Sequence, residues 1–237
     1  MKMISFMNNI SDNIDKITSK MIEAAKRAGR KEDDVTLVAV SKTKPIEDLK
    51  EAYNHGVRDF GENYVNELTD KIPQMPDDVR WHMIGHLQTN KVKYIVGKVY
   101  MIHSVDSVKL AKEISKESVK KDTVTKILCE INVAGEDSKF GTSDLNANLE
   151  MIKEISALPN IELCGLMTIA PYTTDAESNR QYFRTLHDFA YGEAKEYLKG
   201  EPVLSMGMSG DFEVAVEEGA SYIRVGSSIF GERVYNK

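Results

Sequence analysis

Lys42 is the residue whose type and position first indicate chemistry. It follows an apolar, largely β-branched run over residues 35–41, which predicts a buried strand. A helix is predicted over residues 46–55, with Thr43 able to cap it and Pro45 at its first position. In α/β proteins, reactive groups are placed at the carboxyl ends of strands. A desolvated lysine there has a lowered pKa and attacks carbonyl carbons, whereas a lysine that only reaches solvent is inert.

Two glycine-rich turns near the carboxyl end of the chain have the composition of phosphate-binding loops. One spans residues 206–211 and the other spans residues 224–231. Glycines let backbone amides approach an anion, and Ser209 and Ser227 add hydroxyl donors beside a helix amino terminus. Either turn alone more often only reverses the chain, with Ser209 capping its helix. Two such turns after consecutive strands predict the phosphate site of TIM-type barrels.

Arg224 stands inside a predicted strand over residues 222–225, two positions before Gly226 and on the same face. A buried arginine is costly unless it is paired, so Arg224 forms either a buried ion pair or a hydrogen bond to a ligand near the phosphate. A nucleophilic lysine across a barrel from a phosphate site suits a phosphorylated aldehyde. Pyridoxal phosphate is one such compound, and a sugar phosphate bound by a Schiff-base aldolase is another.

Two histidines, His82 and His86, have a spacing that would suggest a metal site on a helix. Residues 81–84 are instead predicted to form a strand, which would place the two side chains roughly 13 Å apart. We therefore expect no metal ion here.

These residues require an α/β scaffold in which strands and helices alternate. Strands are predicted at residues 35–41, 59–62, 81–84, 99–104, 126–133, 161–169, 203–208 and 222–225. Helices are predicted between them at residues 46–55, 63–71, 89–96, 107–119, 145–155, 175–198 and 211–218. Eight strands in a chain of this length favour a single TIM-type barrel over residues 35–233, with a doubly wound open sheet as the alternative. An extra amphipathic helix within residues 1–30, ended by Gly29, precedes it, and one domain over residues 1–237 is the simplest organisation.

Composition restricts the partners and the compartment. The chain has 237 residues, 41% of them hydrophobic, and a formal charge of −6, which argues against nucleic acid or an anionic membrane as the main partner. Cys129 and Cys164 lie in apolar runs without metal-ligand spacing and are interpreted as core thiols of a reducing compartment. No targeting segment or run of about 18 apolar residues is evident, so we expect a cytoplasmic protein.

From residue 35 to residue 233 the chain resembles the YggS/PROSC family of pyridoxal phosphate homeostasis proteins. The resemblance covers successive motifs in order, namely Val40-Ser41-Lys42-Thr43, Phe60-Gly61-Glu62-Asn63-Tyr64, Trp81-His82-Met83-Ile84-Gly85-His86-Leu87-Gln88-Thr89-Asn90-Lys91, Ser104-Val105-Asp106, Gly165-Leu166-Met167-Thr168, Met206-Gly207-Met208-Ser209 and Arg224-Val225-Gly226. It implies the fold of the amino-terminal barrel of alanine racemase, without the second domain.

The resemblance also assigns roles to individual residues. It implies that Lys42 forms an aldimine with pyridoxal 5′-phosphate and that Arg224 faces the pyridine nitrogen. The phosphate would be held by Ser209, Gly226 and Ser227. The remaining cofactor-binding residues would be Asn63, His86, Met167 and Met206.

The function implied is the binding of pyridoxal phosphate in vitamin B6 homeostasis, with supply of the cofactor to apo-enzymes and a monomeric state. A weakly active amino-acid racemase is the alternative; it needs a second acid/base residue opposite Lys42, and the sequence does not identify one. A Schiff-base aldolase is the third hypothesis. It needs a carboxylate near the lysine, for which Glu62 is the candidate.

Overall fold

Eight parallel strands close into a barrel in chain order, with β1 paired to both β2 and β8. The computed structural model describes residues 9–136 and 142–232. The barrel confirms the predicted TIM-type architecture. Its strands are β1 Thr36–Val40, β2 Asp59–Glu62, β3 Arg80–Met83, β4 Met101–Val105, β5 Thr125–Glu130, β6 Ile161–Met167, β7 Val203–Ser205 and β8 Tyr222–Val225.

Helices follow the strands and cover the outside of the barrel. Within the described residues they are α1 Ile10–Arg27, α2 Ile46–Asn54, α3 Val65–Lys71, α4 Val92–Ile95, α5 Val108–Lys120, α6 Leu145–Ser156, α7 Arg180–Tyr191, α8 Phe212–Glu217 and α9 Ser227–Phe230. Short 3-10 turns lie beside several of them, such as Thr89–Lys91 before α4. The alternation places every strand-to-helix loop at the same end of the barrel.

The strands are buried on both faces, as parallel barrels require. Outward-facing side chains such as Phe60 and Ile102 join one apolar core with the helices. A separate apolar cluster of strand residues fills part of the barrel interior and contains Met101, Leu128, Cys164 and Met167. The interior also holds buried histidines and an arginine, and burial of these groups demands hydrogen-bond partners.

Helix α1 confirms the predicted helix ahead of the barrel, although residues 1–8 lie outside the described residues. It packs against α8 and α9, and Asn13 Nδ2 donates a hydrogen bond of 2.9 Å to Ile229 O. Gly29 has φ of +69°, a conformation that favours glycine, and the helix ends before it as predicted. Its buried face consists of Ile10, Ile14, Ile17, Met21, Ala24 and Ala25.

One predicted helix is wrong in extent. The pattern over residues 175–198 forms α7 flanked by two 3-10 turns, Ala176–Asn179 and Lys195–Tyr197. Helix α7 ends because Gly192 leaves the helical region, with ψ of −112°, while its N–H still bonds to Asp188 O at 2.8 Å. Three predicted strands also end two or three residues early, at Glu130, Met167 and Ser205.

None of the described helices is both long and apolar enough to cross a membrane. Cys129 and Cys164 are both buried and carry free thiols, which confirms their interpretation as core residues. Burial raises the pKa of each thiol to about 12. Neither thiol is therefore poised as a nucleophile.

Candidate functional site

A cavity of about 430 Å³ opens at the carboxyl ends of the strands. Among the described residues, the charged groups that line it are Lys42, Lys44 and Arg224 and the carboxylate of Asp211, so the cavity favours an anionic ligand. Six of the nine predicted site residues line it, namely Lys42, Asn63, Ser209, Arg224, Gly226 and Ser227.

Lys42 lies two residues after the end of β1 and is half-buried in this cavity with Val40. The chain then turns sharply, because Thr43 has φ of +64° and its N–H donates a 2.6 Å bond to Glu67 Oε1. Thr43 therefore does not cap α2; Pro45 occupies the cap position and the helix begins at Ile46. The helix therefore starts at the predicted residue 46, but Pro45 is its cap and not its first helical residue.

A buried carboxylate fixes the strand end that carries Lys42. Ser41 Oγ donates a 2.7 Å hydrogen bond to Glu62 Oε1 on the neighbouring strand. Lys71 Nζ bonds to the same carboxylate oxygen and to Ser41 O, both at 2.8 Å. Glu62 is fully buried, and desolvation raises its pKa despite the adjacent lysine. Glu62 does not line this cavity, and it does not line the adjoining cavity that contains His86.

The two glycine-rich turns meet at the cavity wall. Ser227 Oγ donates a 3.2 Å hydrogen bond to Ser209 Oγ, so both hydroxyls lie together. A Cβ at Gly226 would lie only 3.1 Å from Val40 O, which shows how closely this turn approaches β1. Ser209 does not cap a helix, because Asp211 holds the cap position of α8. Since α8 and α9 are short, an anion here would rely mainly on the hydroxyls and on the amides at the start of α9.

Asp211 shapes this wall by holding two other segments. Its Oδ1 accepts a 2.7 Å hydrogen bond from Met208 N–H, and its Oδ2 accepts one of 2.8 Å from Asn179 Nδ2. Lys44 holds the turn over residues 224–231, since its Nζ donates hydrogen bonds to Phe230 O at 2.8 Å and to Gly231 O at 3.1 Å. Both residues line the cavity. Neither role could be predicted from the sequence, because each depends on contacts between distant segments.

Arg224 contributes a buried guanidinium to the cavity. Its Nη1 donates a 2.6 Å hydrogen bond to Ser205 Oγ, and its Nη2 donates one of 2.8 Å to Thr168 O. Burial lowers the pKa of Arg224 to about 10, and Glu130 and Asp211 oppose this shift at longer range. The group therefore stays cationic at neutral pH. Its hydrogen-bond partners among the described residues are neutral, so those residues do not show the predicted alternative of a buried ion pair.

A second cavity of about 740 Å³ adjoins the first and shares Asn63, Ile84 and Ile169 with it. His86, predicted as a cofactor residue, lines this second cavity, and its Nδ1 lies 3.3 Å from Asp106 Oδ2. Asn63 Oδ1 is buried and has no hydrogen-bond partner among the described residues. A buried acceptor without a partner, in the wall that the two cavities share, is available to a hydrogen-bond donor of a ligand.

Glu130 ends β5 and also lines the second cavity. Burial, together with the nearby charge of Asp106, raises the pKa of Glu130 to about 7. Glu130 was not predicted from the sequence. Its signal was a carboxylate directly after the apolar run Ile127-Leu128-Cys129, similar to the position of Lys42 after an apolar run.

The two predicted methionines are not brought to the cavities. Met167 and Met206 are fully buried and line neither cavity. Met167 packs in the barrel interior with Met101 and Leu128, and Met206 packs in the core outside the strands. Their assignment to a cofactor site stays a prediction. Within residues 9–136 and 142–232, no three histidine, cysteine or acidic side chains are grouped as a metal site.

Comparisons with known proteins agree with this geometry. The profile of the family described as "Alanine racemase, N-terminal domain" matches residues 12–234. The chain is 45% identical to the pyridoxal phosphate homeostasis protein of Aquifex aeolicus, over 96% of this chain and all of that protein. It is 41% identical to the human protein of the same name, over 85% of this chain and 78% of that one.

Solved structures show the same fold. PipY of Synechococcus elongatus PCC7942, solved with PLP bound, superposes with a TM-score of 0.80 at 32% identity, covering 94% of this chain and all of that chain. Alanine racemase of Clostridium difficile superposes with a TM-score of 0.75 at 14% identity, covering 97% of this chain and 58% of that one. The second likeness shows a shared barrel and nothing about activity.

Proposed function

Because the chain belongs to the pyridoxal phosphate homeostasis protein family, we propose that it binds pyridoxal 5′-phosphate and acts in vitamin B6 homeostasis. One observation carries the proposal. A single cavity combines the Lys42 amine, the Arg224 guanidinium and the paired hydroxyls of Ser209 and Ser227. When bound, pyridoxal phosphate supplies an aldehyde that condenses with amines and a ring that withdraws electrons.

The residues present fit this cofactor. Three cations and one carboxylate line the cavity, which suits a phosphorylated ligand. The wall at Gly226 is too close to Val40 for a larger side chain without movement, as expected where backbone must approach an anion. Asn63 Oδ1 offers a buried acceptor that lacks a partner in the described residues. The phosphate would be held by Ser209, Gly226 and Ser227.

Lys42 is the residue that we propose to hold the cofactor covalently. Its amine would form the bond to the aldehyde carbon, with release of one water molecule. Lys44 also lines the cavity, but its Nζ is bonded to backbone carbonyls of the turn that follows α9. Those contacts assign Lys44 to positioning that turn rather than to covalent binding.

Arg224 argues for binding and supply over efficient catalysis. Carbanion chemistry on pyridoxal phosphate requires a protonated ring nitrogen, usually beside a carboxylate. A cationic Arg224 facing that nitrogen would disfavour the proton, since like charges repel. The bound cofactor would then be a weak electron sink. We propose that the protein holds the reactive aldehyde and releases it to apo-enzymes that need it.

The wider setting follows from the same proposal. We infer one barrel domain that acts as a monomer in the cytoplasm, a reducing compartment that suits the free thiols of Cys129 and Cys164. Glu62, the carboxylate of the aldolase hypothesis, is bound by Ser41 and Lys71 and does not line the cavity. The aldolase hypothesis therefore loses its acid/base group.

A weak racemase remains the second candidate because of Glu130. This residue ends β5, the strand opposite β1 in an eight-stranded barrel, and lines the adjoining cavity with its pKa raised to about 7. Exchange of deuterium into the α-carbon of amino acids measures such activity. Turnover within the ordinary enzyme range of about 1–10³ per second would favour the racemase.

The experiment that tests covalent binding is reductive trapping. The protein is loaded with pyridoxal phosphate, reduced with borohydride and digested, and the adduct is located by mass spectrometry. We expect a coloured protein with the adduct on Lys42 and its loss in Lys42→Arg, which keeps the charge. Lys44→Arg is the matched control from the same cavity and should retain the adduct. An undiminished adduct in Lys42→Arg would overturn the assignment.

A further inference from the structure

A chain of hydrogen bonds crosses the barrel interior and starts at Arg224. Arg224 Nη1 donates to Ser205 Oγ at 2.6 Å, and Ser205 Oγ lies 2.8 Å from His103 Nδ1. His103 Nε2 lies 2.9 Å from His82 Nδ1, and His82 Nε2 lies 2.9 Å from Asp59 Oδ1. We call Ser205, His103, His82 and Asp59 the interior relay.

The interior relay is shielded from water along its length. Ser205, His103 and His82 have no exposed surface, and Asp59 is 4% exposed. Asp59 begins β2 at the far end of the barrel, where it also accepts a 2.8 Å hydrogen bond from Nε of Arg80. Arg80 is partly exposed, so the relay links the cavity to the opposite mouth of the barrel.

With both imidazoles neutral, the two ends of the relay determine the direction of every bond in it. Arginine can only donate hydrogen bonds, and an ionised carboxylate can only accept them. Ser205 therefore accepts from Arg224 and gives its own proton to His103 Nδ1. His103 must then donate from Nε2 to His82, and His82 must donate from Nε2 to Asp59.

This pattern needs both imidazoles to be neutral, with the proton of each on Nε2. Burial lowers the pKa of His82 and holds the pKa of His103 well below its usual range, which agrees with neutral rings. The charges facing His82 are Asp59 and Arg80, and those facing His103 are Arg224 and, when protonated, His82. The Tyr222 ring packs against both imidazoles, with centroids 5.4 Å from His82 and 5.5 Å from His103.

We propose that Ser205, His103 and His82 are positioning residues that fix how Arg224 is presented to bound pyridoxal phosphate. The inference deepens the function proposed above and rests on it. Within the described residues, the acceptors that hold Arg224 are the Ser205 hydroxyl and the Thr168 carbonyl. The hydroxyl is a good acceptor only while its own proton points to His103. The tautomer of His103 therefore controls the orientation of the Arg224 guanidinium. That orientation in turn determines the electrostatic field of Arg224 at the cofactor ring.

The first test uses the protein without cofactor. Nitrogen-15 NMR of the imidazole nitrogens distinguishes the two tautomers and the imidazolium form, and His82→Gln and His103→Asn provide the assignments. We expect both rings to be neutral with the proton on Nε2. A proton on Nδ1 of His103, or an imidazolium at either position, would overturn the inference. This measurement is independent of whether pyridoxal phosphate binds.

The second test measures the cofactor. His103→Asn keeps an acceptor for Ser205 but cuts the link to His82, and Ser205→Ala removes the contact to Arg224. We expect each variant to weaken pyridoxal phosphate binding about threefold to tenfold, the effect of one buried hydrogen bond, and to shift the absorption maximum of the bound cofactor. Met101→Leu, on the same interior face two residues before His103, is the matched control and should change neither value.

Unchanged absorption and affinity in Ser205→Ala and His103→Asn, relative to Met101→Leu, would refute the inference. If His103→Asn does not fold, Ser205→Ala decides the question alone. A wild-type protein that binds no pyridoxal phosphate would instead refute the proposed function. The two failures are therefore distinguishable, because the NMR result reports on the interior relay in either case.

Discussion

Ser41 Oγ donates a 2.7 Å hydrogen bond to Glu62 Oε1 and so ties the residue before Lys42 to the neighbouring strand. Lys71 Nζ shares that carboxylate oxygen and also bonds to Ser41 O. Lys42 is thus positioned by a carboxylate and an ammonium that do not line the cavity. This arrangement separates the group that we propose to react from the groups that hold it in place.

Glu62→Gln should weaken this support without leaving a void. The amide can still accept a hydrogen bond from Ser41, but Lys71 loses one of its two carboxylate partners. We expect the free energy of unfolding to fall by about 1–3 kcal/mol, because removing one partner of the buried pair with Lys71 costs more than the desolvation that raises the pKa of Glu62. Urea denaturation measures it, with Glu47→Gln on the exposed face of α2 as control. A loss no larger than in that control would contradict the argument.

Gly226→Ala should weaken pyridoxal phosphate binding. The added Cβ would lie 3.1 Å from Val40 O and 3.2 Å from Val40 Cβ, so the turn or β1 must move by a few tenths of an ångström. Overpacking of this kind costs about 1 kcal/mol, which corresponds to about fivefold in Kd. Gly210→Ala is the matched control from the other turn, because nothing lies within 4 Å of its added Cβ. Equal affinities in the two variants would show that the close approach at Gly226 is unimportant.

Gly165→Ala should prevent folding. Its Cβ would lie 2.6 Å from Val203 N and closer still to Val203 O, at the start of the β6–β7 pairing. Backbone atoms cannot yield as the end of a side chain does, so we expect a loss above about 4 kcal/mol, large for a single substitution. Circular dichroism and soluble yield measure the outcome, with Gly210→Ala again as control. A folded Gly165→Ala barrel of normal stability would refute this explanation for the glycine.

The alternation of strands and helices could be predicted from the sequence because it depends on local periodicity. Strands β2 and β8 were predicted at their observed bounds. Helix α7 could not be bounded, because the apolar spacing continues past Gly192 into a 3-10 turn that the chain enters for tertiary reasons. Thr43 likewise adopts a positive φ that its type does not favour, and the hydrogen bond that its N–H donates to Glu67 Oε1 stabilises it.

The cavity was predictable only in part, for a related reason. Lys42 and the glycine turns carry signals within a few residues, so their roles could be inferred. The interior relay joins β2, β3, β4 and β7, and no local pattern in the sequence states which histidine will meet which partner. His103 in particular belongs to no recognisable sequence motif. Only the register of the strands in the folded barrel places it beside Ser205.

Glu130→Gln should make the cofactor-free protein more stable at alkaline pH. Burial raises the pKa of Glu130 from 4.5 to about 7 in the folded state, so folding favours the protonated carboxyl. Wild-type stability is then fully present below the unfolded-state pKa and falls as the pH rises towards 7, by about 3 kcal/mol in total. Glutamine stays neutral and avoids this loss. We expect Glu130→Gln to match the wild type at about pH 4.5 and to exceed it by about that amount at pH 8.

Urea denaturation at the two pH values measures this difference, with Glu150→Gln on the exposed surface of α6 as control. The control should follow the wild type at both pH values, because its side chain is 73% exposed and solvent screens its charge. The same pH dependence in Glu130→Gln and the wild type would show that Glu130 ionises normally. In that case the adjoining cavity would lack the acid/base group that a racemase activity requires, since the raised pKa is what suits Glu130 to transfer protons near neutral pH.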